Sequence, residues 1–189
     1  MNAIQFVLAL LDASGGQLQG RTLLQKKAYF VSLLSGVDPG LDFNAHYYGP
    51  YSAALDSTVT QLKNLGFIGE DSAGFGVYSE GFELRRYDYT LTSDGKRLVA
   101  AFRNSKEYEE LASAVEKIKK AGDPSYLELS IAAKAYFILD KRNKAMSNSE
   151  IRREAEKFRW DIQPQSLERA VGFLQQVNLT EGATHERAG

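Results

Sequence analysis

The chain has 189 residues, of which 43% are hydrophobic and 25% are charged, values that are typical of a soluble globular protein. It contains no cysteine, which excludes disulfide bonds, thiolate catalysis and the cysteine ligands of most structural zinc sites. The net charge of −1 is unlike that of a dedicated nucleic-acid binder, because such proteins use excess positive charge to bind phosphates. The apolar stretch at 6–11 is too short to span a bilayer and is not part of a signal-peptide pattern, so we expect a cytoplasmic protein without a membrane partner.

Helical and extended patterns alternate in the first hundred residues. Apolar periodicity and turn residues predict three helices, at 3–13, 21–34 and 52–65. Ser52 is suited to cap the third of these helices, and Gly66 is suited to follow its end. The apolar pair at 67–68 and the alternating segment 83–91 predict two strands. We interpret the glycine-rich segment 74–81 as the turn or flexible tip between them.

The second half of the chain is predicted to be helical throughout. A charged amphipathic helix is expected at 105–120, and Ala-Gly-Asp-Pro at 121–124 forms the clearest boundary in the chain. Apolar periodicity predicts three further helices, at 127–141, 147–158 and 164–177. Ser147 and Glu150 have the spacing of a capping box, and Pro164 suits a first helical turn.

One hydrophobic pattern occurs twice, with each residue of the second copy 112 positions after its counterpart. The first copy is Leu55, Val59, Leu62, Leu65 and Phe67, and the second is Leu167, Val171, Leu174, Val177 and Leu179. Spacings of four and three residues are expected to place the first four members on one helix face, with the fifth just beyond the helix end. A third helix that leads into a strand is typical of a winged-helix module.

We therefore predict a mainly α-helical α+β fold with a small β-wing. It would comprise a winged-helix-like N-terminal module and a C-terminal three-helix module that is a partial winged helix. The predicted divisions are a first domain at 1–104, a connecting helix at 105–121, a C-terminal helical module at 125–182 and a flexible tail at 183–189. Two such modules in one chain indicate a regulator or adaptor rather than an enzyme.

Three motifs within residues 18–100 resemble those of a known family. They are a Leu-Gln-Lys helix in LLQKKAYF, a Tyr-Gly-Pro turn in FNAHYYGPYSAALDSTVTQLKNLGFI, and an aromatic-x-Leu-Thr-x-x-Gly strand end in YDYTLTSDGKRL. Together they resemble the bacterial YwgA-like proteins and, more distantly, the Panacea domain of SocA-type antitoxins. The HYYGPYS turn is fairly specific to this resemblance, whereas many winged-helix proteins share the Leu-Thr-x-x-Gly element.

The resemblance implies a protein without catalytic residues. YwgA-like proteins are functionally uncharacterised as a family, whereas Panacea-type domains are associated with the neutralisation of varied toxins and SocA-type members deliver a toxin to a protease. Residues 125–189 would be an extension relative to this family. Lys26-Lys27-Ala28 departs from the Lys-Leu pair that is more usual there, so the surface of this helix is expected to differ.

An aromatic turn is the most unusual local composition and supplies the candidate partner-binding residues. They are His46, Tyr47, Tyr48, Pro50 and Tyr51. Tyrosine is enriched at protein interfaces because it combines a large contact area with a polar tip. Two alternatives remain open for this turn: packing of the aromatic rings beneath the wing, and stacking on nucleobases.

Basic side chains supply a second set of candidates, for nucleic acid. The segment 134–159 holds eight basic and four acidic residues, a net of +4, whereas residues 1–100 have a net charge of −2. The candidates are Arg85 and Arg86 on the wing, and Lys141, Arg142, Lys144, Arg152, Arg153 and Lys157 in the second half. The alternative is a solvated helix face joined by pairs such as Arg152–Glu156 and Glu150–Arg153.

Two functional hypotheses follow from these patterns. The first is a non-enzymatic adaptor or antitoxin-like regulator that binds a protein, such as a toxin or a defence component. The second is a winged-helix regulator that binds DNA. An enzyme is a third and weaker hypothesis, because no nucleophile elbow, P-loop or metal-ligand spacing is present in the sequence and no cofactor is implied. The helix at 105–120 is of a kind that pairs winged-helix proteins, so a homodimer is also considered.

Overall fold

The structure, a computed structural model, describes residues 1–77 and 83–180, with the backbone alone for 73–77 and 83–85. Its elements in chain order are α1 (Ala3–Ala13), β1 (Gln17–Gln19), α2 (Arg21–Ser35), α3 (Ala53–Asn64), β2 (Ile68–Val77), β3 (Glu83–Leu91), α4 (Ser93–Ala100), α5 (Lys106–Lys120), α6 (Tyr126–Arg142), α7 (Asn148–Lys157) and α8 (Pro164–Gln176). The protein is thus mainly α-helical with one small sheet, which confirms the predicted α+β class. The predicted tail at 183–189 lies outside the described residues.

The sheet has three antiparallel strands in the order β1-β3-β2. β1 was not predicted, because three residues are too few to display a hydrophobic alternation, although Leu18 at its centre is buried. β2 continues to Val77, so the predicted turn at 74–81 is wrong for residues 74–77, and residues 78–81 lie outside the described part. Glycines in this stretch hide the alternation, and pairing with β3 imposes the extended backbone instead.

Helix α2 lies at the centre of the fold. Eight consecutive residues of this helix, Leu24 to Val31, are buried, so it lacks a solvent-facing stripe along that length. It packs against α1, β1, α5 and α6. Gln25, Lys26 and Lys27 belong to this buried stretch, which is unusual because such side chains are rarely buried without partners.

A single hydrophobic core extends through both halves of the chain. α5 packs against α1 and α2, while α6 packs against α2, α7 and α8. The predicted division of the chain near 121–124 stays a prediction. Buried residues before and after this segment belong to the same hydrophobic cluster. Within the described residues, none of the helices has both the length and the hydropathy needed to cross a membrane.

The capping predictions are confirmed. The Ser52 hydroxyl accepts a hydrogen bond from the amide of Leu55, and Ser147 and Glu150 form a reciprocal capping box at the start of α7. Pro164 occupies the first turn of α8. These short-range interactions define the helix starts because they satisfy amide groups that have no partner within the helix.

The two copies of the repeated pattern end their helices in the same way. The amide of Phe67 donates to the carbonyl of Leu62, and the amide of Leu179 donates to that of Leu174, at 3.0 and 2.9 Å. Gly66 and its counterpart Asn178 both take positive φ, at 77° and 59°. The repeat is therefore structural at the helix ends, where the backbone turns through a left-handed residue.

The fourth position of the repeat does not follow the prediction. Leu65 is 57% exposed, whereas its counterpart Val177 is fully buried. At about 100° per residue, Leu65 lies roughly 120° around the helix from Val59, at the edge of the apolar stripe. Burial at that edge depends on the neighbouring element, and α3 and α8 pack against different elements.

Thr92 and Gly95 explain the Leu-Thr-x-x-Gly element. The Thr92 hydroxyl accepts a hydrogen bond from the amide of Gly95. It donates to the carbonyl of Gly66 at 2.8 Å, and the carbonyl of Phe67 is a second acceptor at 3.2 Å. A Cβ at Gly95 would lie 2.2 Å from the carbonyl oxygen of Phe67. The element thus fixes the start of α4 against the connection between α3 and β2.

We predict that Gly95→Ala lowers the free energy of unfolding by about 1–3 kcal/mol, because the added methyl group would force backbone and core atoms apart. Gly172→Ala is the matched control, since a Cβ at this other helical glycine meets nothing within 4 Å. That variant should gain about 0.5–1 kcal/mol from the restricted unfolded backbone. Urea denaturation followed by circular dichroism measures both, and equal effects would contradict the assignment of Gly95 to a close backbone contact.

Candidate functional site

The candidate site is the turn at residues 44–51, which two consecutive side chains of α2, Gln25 and Lys26, hold by hydrogen bonds. Gln25 makes two hydrogen bonds with the backbone of Ser52, the residue that follows the turn and caps α3. Its amide nitrogen donates to the Ser52 carbonyl and its amide oxygen accepts from the Ser52 N–H, both at 2.9 Å. Gln25 and Ser52 are both buried, so each satisfies polar groups that have no access to water.

Lys26 holds the turn at Pro50. Its ammonium group donates to the carbonyl of Pro50 at 2.5 Å, and only 1% of the residue is exposed. Burial, together with repulsion from the nearby Lys134, lowers the pKa of Lys26 to about 8. A buried cation bound to a neutral carbonyl is costly, which indicates that this contact fixes the turn at the expense of stability.

Lys27 reaches the junction between the two halves of the chain. Its ammonium group forms an ion pair with Asp123 at 2.9 Å, and the lysine side chain is almost completely buried. Asp123 has a positive φ of 43° in the segment that joins α5 to α6. The Lys27 side chain therefore contacts this junction and is not part of the solvent-exposed surface of the helix.

The turn itself is a short backbone-bonded loop. Asn44 and Tyr51 form an antiparallel bridge with two hydrogen bonds of 2.9 Å, and the Gly49 amide donates to the carbonyl of His46 at 2.9 Å. Gly49 has a φ of 93°, and a Cβ there would lie 3.0 Å from Cγ of Lys134. Glycine is required here because the backbone both adopts a left-handed conformation and presses against α6.

Trp160 also holds the turn, by a hydrogen bond to its backbone. Its indole N–H donates to the carbonyl of His46 at 2.7 Å, across 114 positions of sequence. The indole is buried and stacks on Phe158, with ring centroids 4.7 Å apart. The aromatic turn thus contacts α2 at Pro50, α6 at Gly49 and the segment after α7 at His46.

The five candidate residues divide into supporting and exposed groups. Pro50 is buried, Tyr51 is half-buried, and the ring of exposed His46 lies 5.1 Å from that of Tyr51. Tyr47 and Tyr48 are 70% and 58% exposed, with ring centroids 4.9 Å apart and planes nearly perpendicular. We call these two side chains the tyrosine surface. The turn therefore both packs into the fold and presents aromatic rings to solvent.

The predicted basic residues of the second half are largely engaged within the chain. Glu154 pairs with Arg142 and with Lys157, the latter at 2.6 Å. Lys144 lies 3.8 Å from Glu150. These pairs join α7 to its own surface and to the end of α6, and they differ from the pairs that the sequence suggested.

The remaining nucleic-acid candidates occupy dissimilar positions. Lys141 lies over the ring of Phe158 at 5.3 Å, and Nε of Arg152 donates to the carbonyl of Ile162 at 3.0 Å. Arg153 is exposed on α7. Arg86 pairs with Asp88 on β3. Arg85 lies opposite Gly74 in the sheet, and its side chain is outside the described part.

Four residues of the site were not assigned to it from the sequence: Gln25, Lys26, Lys134 and Trp160. Gln25 and Lys26 belong to the Leu-Gln-Lys helix, so their pattern was visible but their burial was not. Trp160 is the only tryptophan in the chain, which was the one available signal for it. Among the described residues, no group of three or more His, Asp or Glu side chains is arranged to hold a metal ion.

Fold and site together define a mainly helical α+β protein in which a turn bearing two exposed tyrosines is held by buried polar contacts. No family model matches the chain. The chain is similar to the Uncharacterized protein YwgA of Bacillus subtilis (strain 168), with 33% identity over 84 residues. This similarity covers 44% of the chain and 46% of the relative, so the chain spans less than half of that protein's length. The similarity supports the YwgA-like resemblance, and the more distant resemblance to the Panacea domain stays a prediction.

We predict that the stability difference between the wild type and Lys26→Met depends on pH. The ammonium pKa of about 8 in the folded protein is below its ordinary value of 10.5, so between these values the unfolded chain binds a proton that the folded chain lacks. Wild-type stability relative to the variant should therefore rise from about pH 8 to 10.5, by ~3 kcal/mol in total, and stay constant below pH 8. Urea denaturation across this range measures the difference, and a flat profile would contradict a neutralised Lys26.

Proposed function

We propose that the chain is a cytoplasmic, non-enzymatic regulator or adaptor that acts by binding another protein, as Panacea-type antitoxins do. The partner we expect is a toxin or a defence component. The observation that carries the proposal is the tyrosine surface, because Tyr47 and Tyr48 are the most exposed aromatic side chains described and stand on a firmly held turn. Tyrosines in such a position contribute contact area with little loss of side-chain entropy on binding.

The rigidity of the turn supports this function. Gln25, Lys26 and Trp160 bond to backbone groups of residues 46–52, so the tyrosines are not carried by a loose loop. A binding surface that is already ordered loses less conformational entropy on association, which increases affinity for a given set of contacts. A buried lysine that destabilises the fold is understandable if it preserves the shape of a binding surface.

DNA binding is the second candidate function, and one observation favours it. The order helix–strand–helix–helix–strand–strand from α1 to β3 is the order that a winged-helix module uses, and the segment 134–159 is basic. In that arrangement α3 would be the helix that enters the major groove.

The surface of α3 argues against this second candidate. Its exposed residues are small or uncharged, namely Ala53, Ala54, Ser57, Thr60, Gln61 and Asn64. Its two charged residues are paired, Asp56 with Arg21 at 3.6 Å and Lys63 with Glu70 at 2.5 Å. A helix that reads DNA needs cations for the phosphates, and α3 has none to spare. Protein binding is therefore the better-supported function.

We predict that the double variant Tyr47→Ala/Tyr48→Ala loses affinity for the partner by at least about thirtyfold, the usual effect of removing interface hot spots. Its melting temperature should be unchanged, because both side chains are exposed. Leu65→Ala is the matched control: this residue is 57% exposed but lies at the far end of α3, a helix of 12 residues and about 18 Å. Co-purification with the product of the neighbouring gene, followed by titration calorimetry, tests the prediction.

Fluorescence anisotropy with mixed duplex DNA provides the opposing test. The proposal expects weak binding at low salt that disappears at physiological salt. Submicromolar affinity with a steep salt dependence, reduced by the charge reversals Arg152→Glu and Arg153→Glu and unaffected by loss of the tyrosines, would establish the DNA-binding alternative instead.

A further inference from the structure

Lys134 packs against the turn that carries the tyrosine surface. The backbone of Gly49, the residue after Tyr48, packs against the side chain of Lys134 so closely that a Cβ would lie 3.0 Å from its Cγ. The lysine is half-buried, and its ammonium group lies 5.7 Å from the centre of the Trp160 ring. The lysine side chain therefore contacts the turn at the residue that follows Tyr48.

The positive charge at this place is incompletely balanced. Lys26 lies beneath the same turn with a carbonyl as its acceptor, and within the described residues neither Lys26 nor Lys134 has a carboxylate within ion-pair distance. Burial lowers the pKa of both lysines, and Asp161 only partly opposes this effect at Lys134. An added anion would stabilise the ammonium form of both side chains.

Further charged residues lie beside Trp160, and their charges cancel. A groove of about 310 Å³ beside the indole is lined by Arg152 and Arg159, together with the carboxylates of Glu156 and Asp161. Lys26, Lys134 and the Arg21–Asp56 pair beside Tyr51 bring the number of charged groups around the turn to five cations and three anions. Charge complementarity therefore favours an anionic ligand over a neutral or cationic one.

We propose that the tyrosine surface binds an acidic segment of the partner protein, with apolar side chains against Tyr47 and Tyr48 and a carboxylate on the ammonium group of Lys134. This inference rests on the proposed protein-binding function and adds the chemistry of the partner. A carboxylate suits the site better than a nucleic-acid backbone, because the two tyrosine rings are nearly perpendicular at 4.9 Å and present no flat platform for successive bases.

Selection of random linear peptides displayed on phage against the full chain tests this inference without a known partner. Clones that bind the wild type but not Tyr47→Ala/Tyr48→Ala are sequenced and synthesised. The inference predicts that these peptides combine Asp or Glu with neighbouring aliphatic residues. Changing their Asp and Glu to Asn and Gln should weaken binding roughly tenfold or more, as should Lys134→Gln in the protein.

Lys141→Gln is the matched control, because Lys141 also lies on α6 over aromatic rings but away from the turn. It should leave peptide affinity unchanged. Tyrosine-dependent peptides without carboxylates, or equal affinity of wild type and Lys134→Gln, would overturn the acidic-segment inference and leave the proposed function standing. A selection that yields no tyrosine-dependent peptide would overturn both, and tighter tyrosine-dependent binding of single-stranded DNA than of any peptide would replace the acidic segment by nucleic acid.

Discussion

The structure depends on three consecutive polar residues that are buried in its central helix. A helix surrounded on all sides can hold Gln25, Lys26 and Lys27 only if each reaches a partner, since an unpaired buried polar group costs stability. Adjacent helical residues point about 100° apart, so the three side chains reach three different places. They reach the start of α3, the Pro50 carbonyl of the turn and the junction between α5 and α6. α2 thereby fixes the turn and the junction relative to one core.

A surface with defined geometry follows from this arrangement. The turn is bonded to α2 from below, pressed against α6 at Gly49 and held by the indole of Trp160 at His46. Tyr47 and Tyr48 project into solvent from a turn that is held at these three places. Tyrosine rings on this turn, beside the half-buried side chain of Lys134, are suited to the recognition of a protein segment that we propose. Structure and proposed function are connected through this single turn.

The sequence predicted those features that depend on neighbouring residues. The cap at Ser52 and the presence of the helices depend on neighbouring residues, and both were predicted correctly. Features that depend on distant residues were missed. The bond between Trp160 and His46 spans 114 positions, and the burial of Lys26 reverses the usual preference of lysine for solvent. Leu65 shows the same limit, because its place at the edge of an apolar stripe leaves its burial to the elements around it. Hydrophobic spacing specifies a face and not the neighbour that covers it.

Hydrogen exchange of the Gln25→Ala variant tests the central claim, that α2 holds the turn in its binding conformation, most directly. In the wild type the amides of Gly49 and Tyr51 are hydrogen-bonded within the turn and should be protected. Loss of the Gln25 side chain leaves the Ser52 N–H without an acceptor and the Ser52 carbonyl with the amide of Asp56 alone, so these amides should exchange faster while those of α8 keep their rates. Unchanged protection of the turn, or an equal loss of protection over the whole chain, would contradict the claim that this contact specifically orders the tyrosine surface.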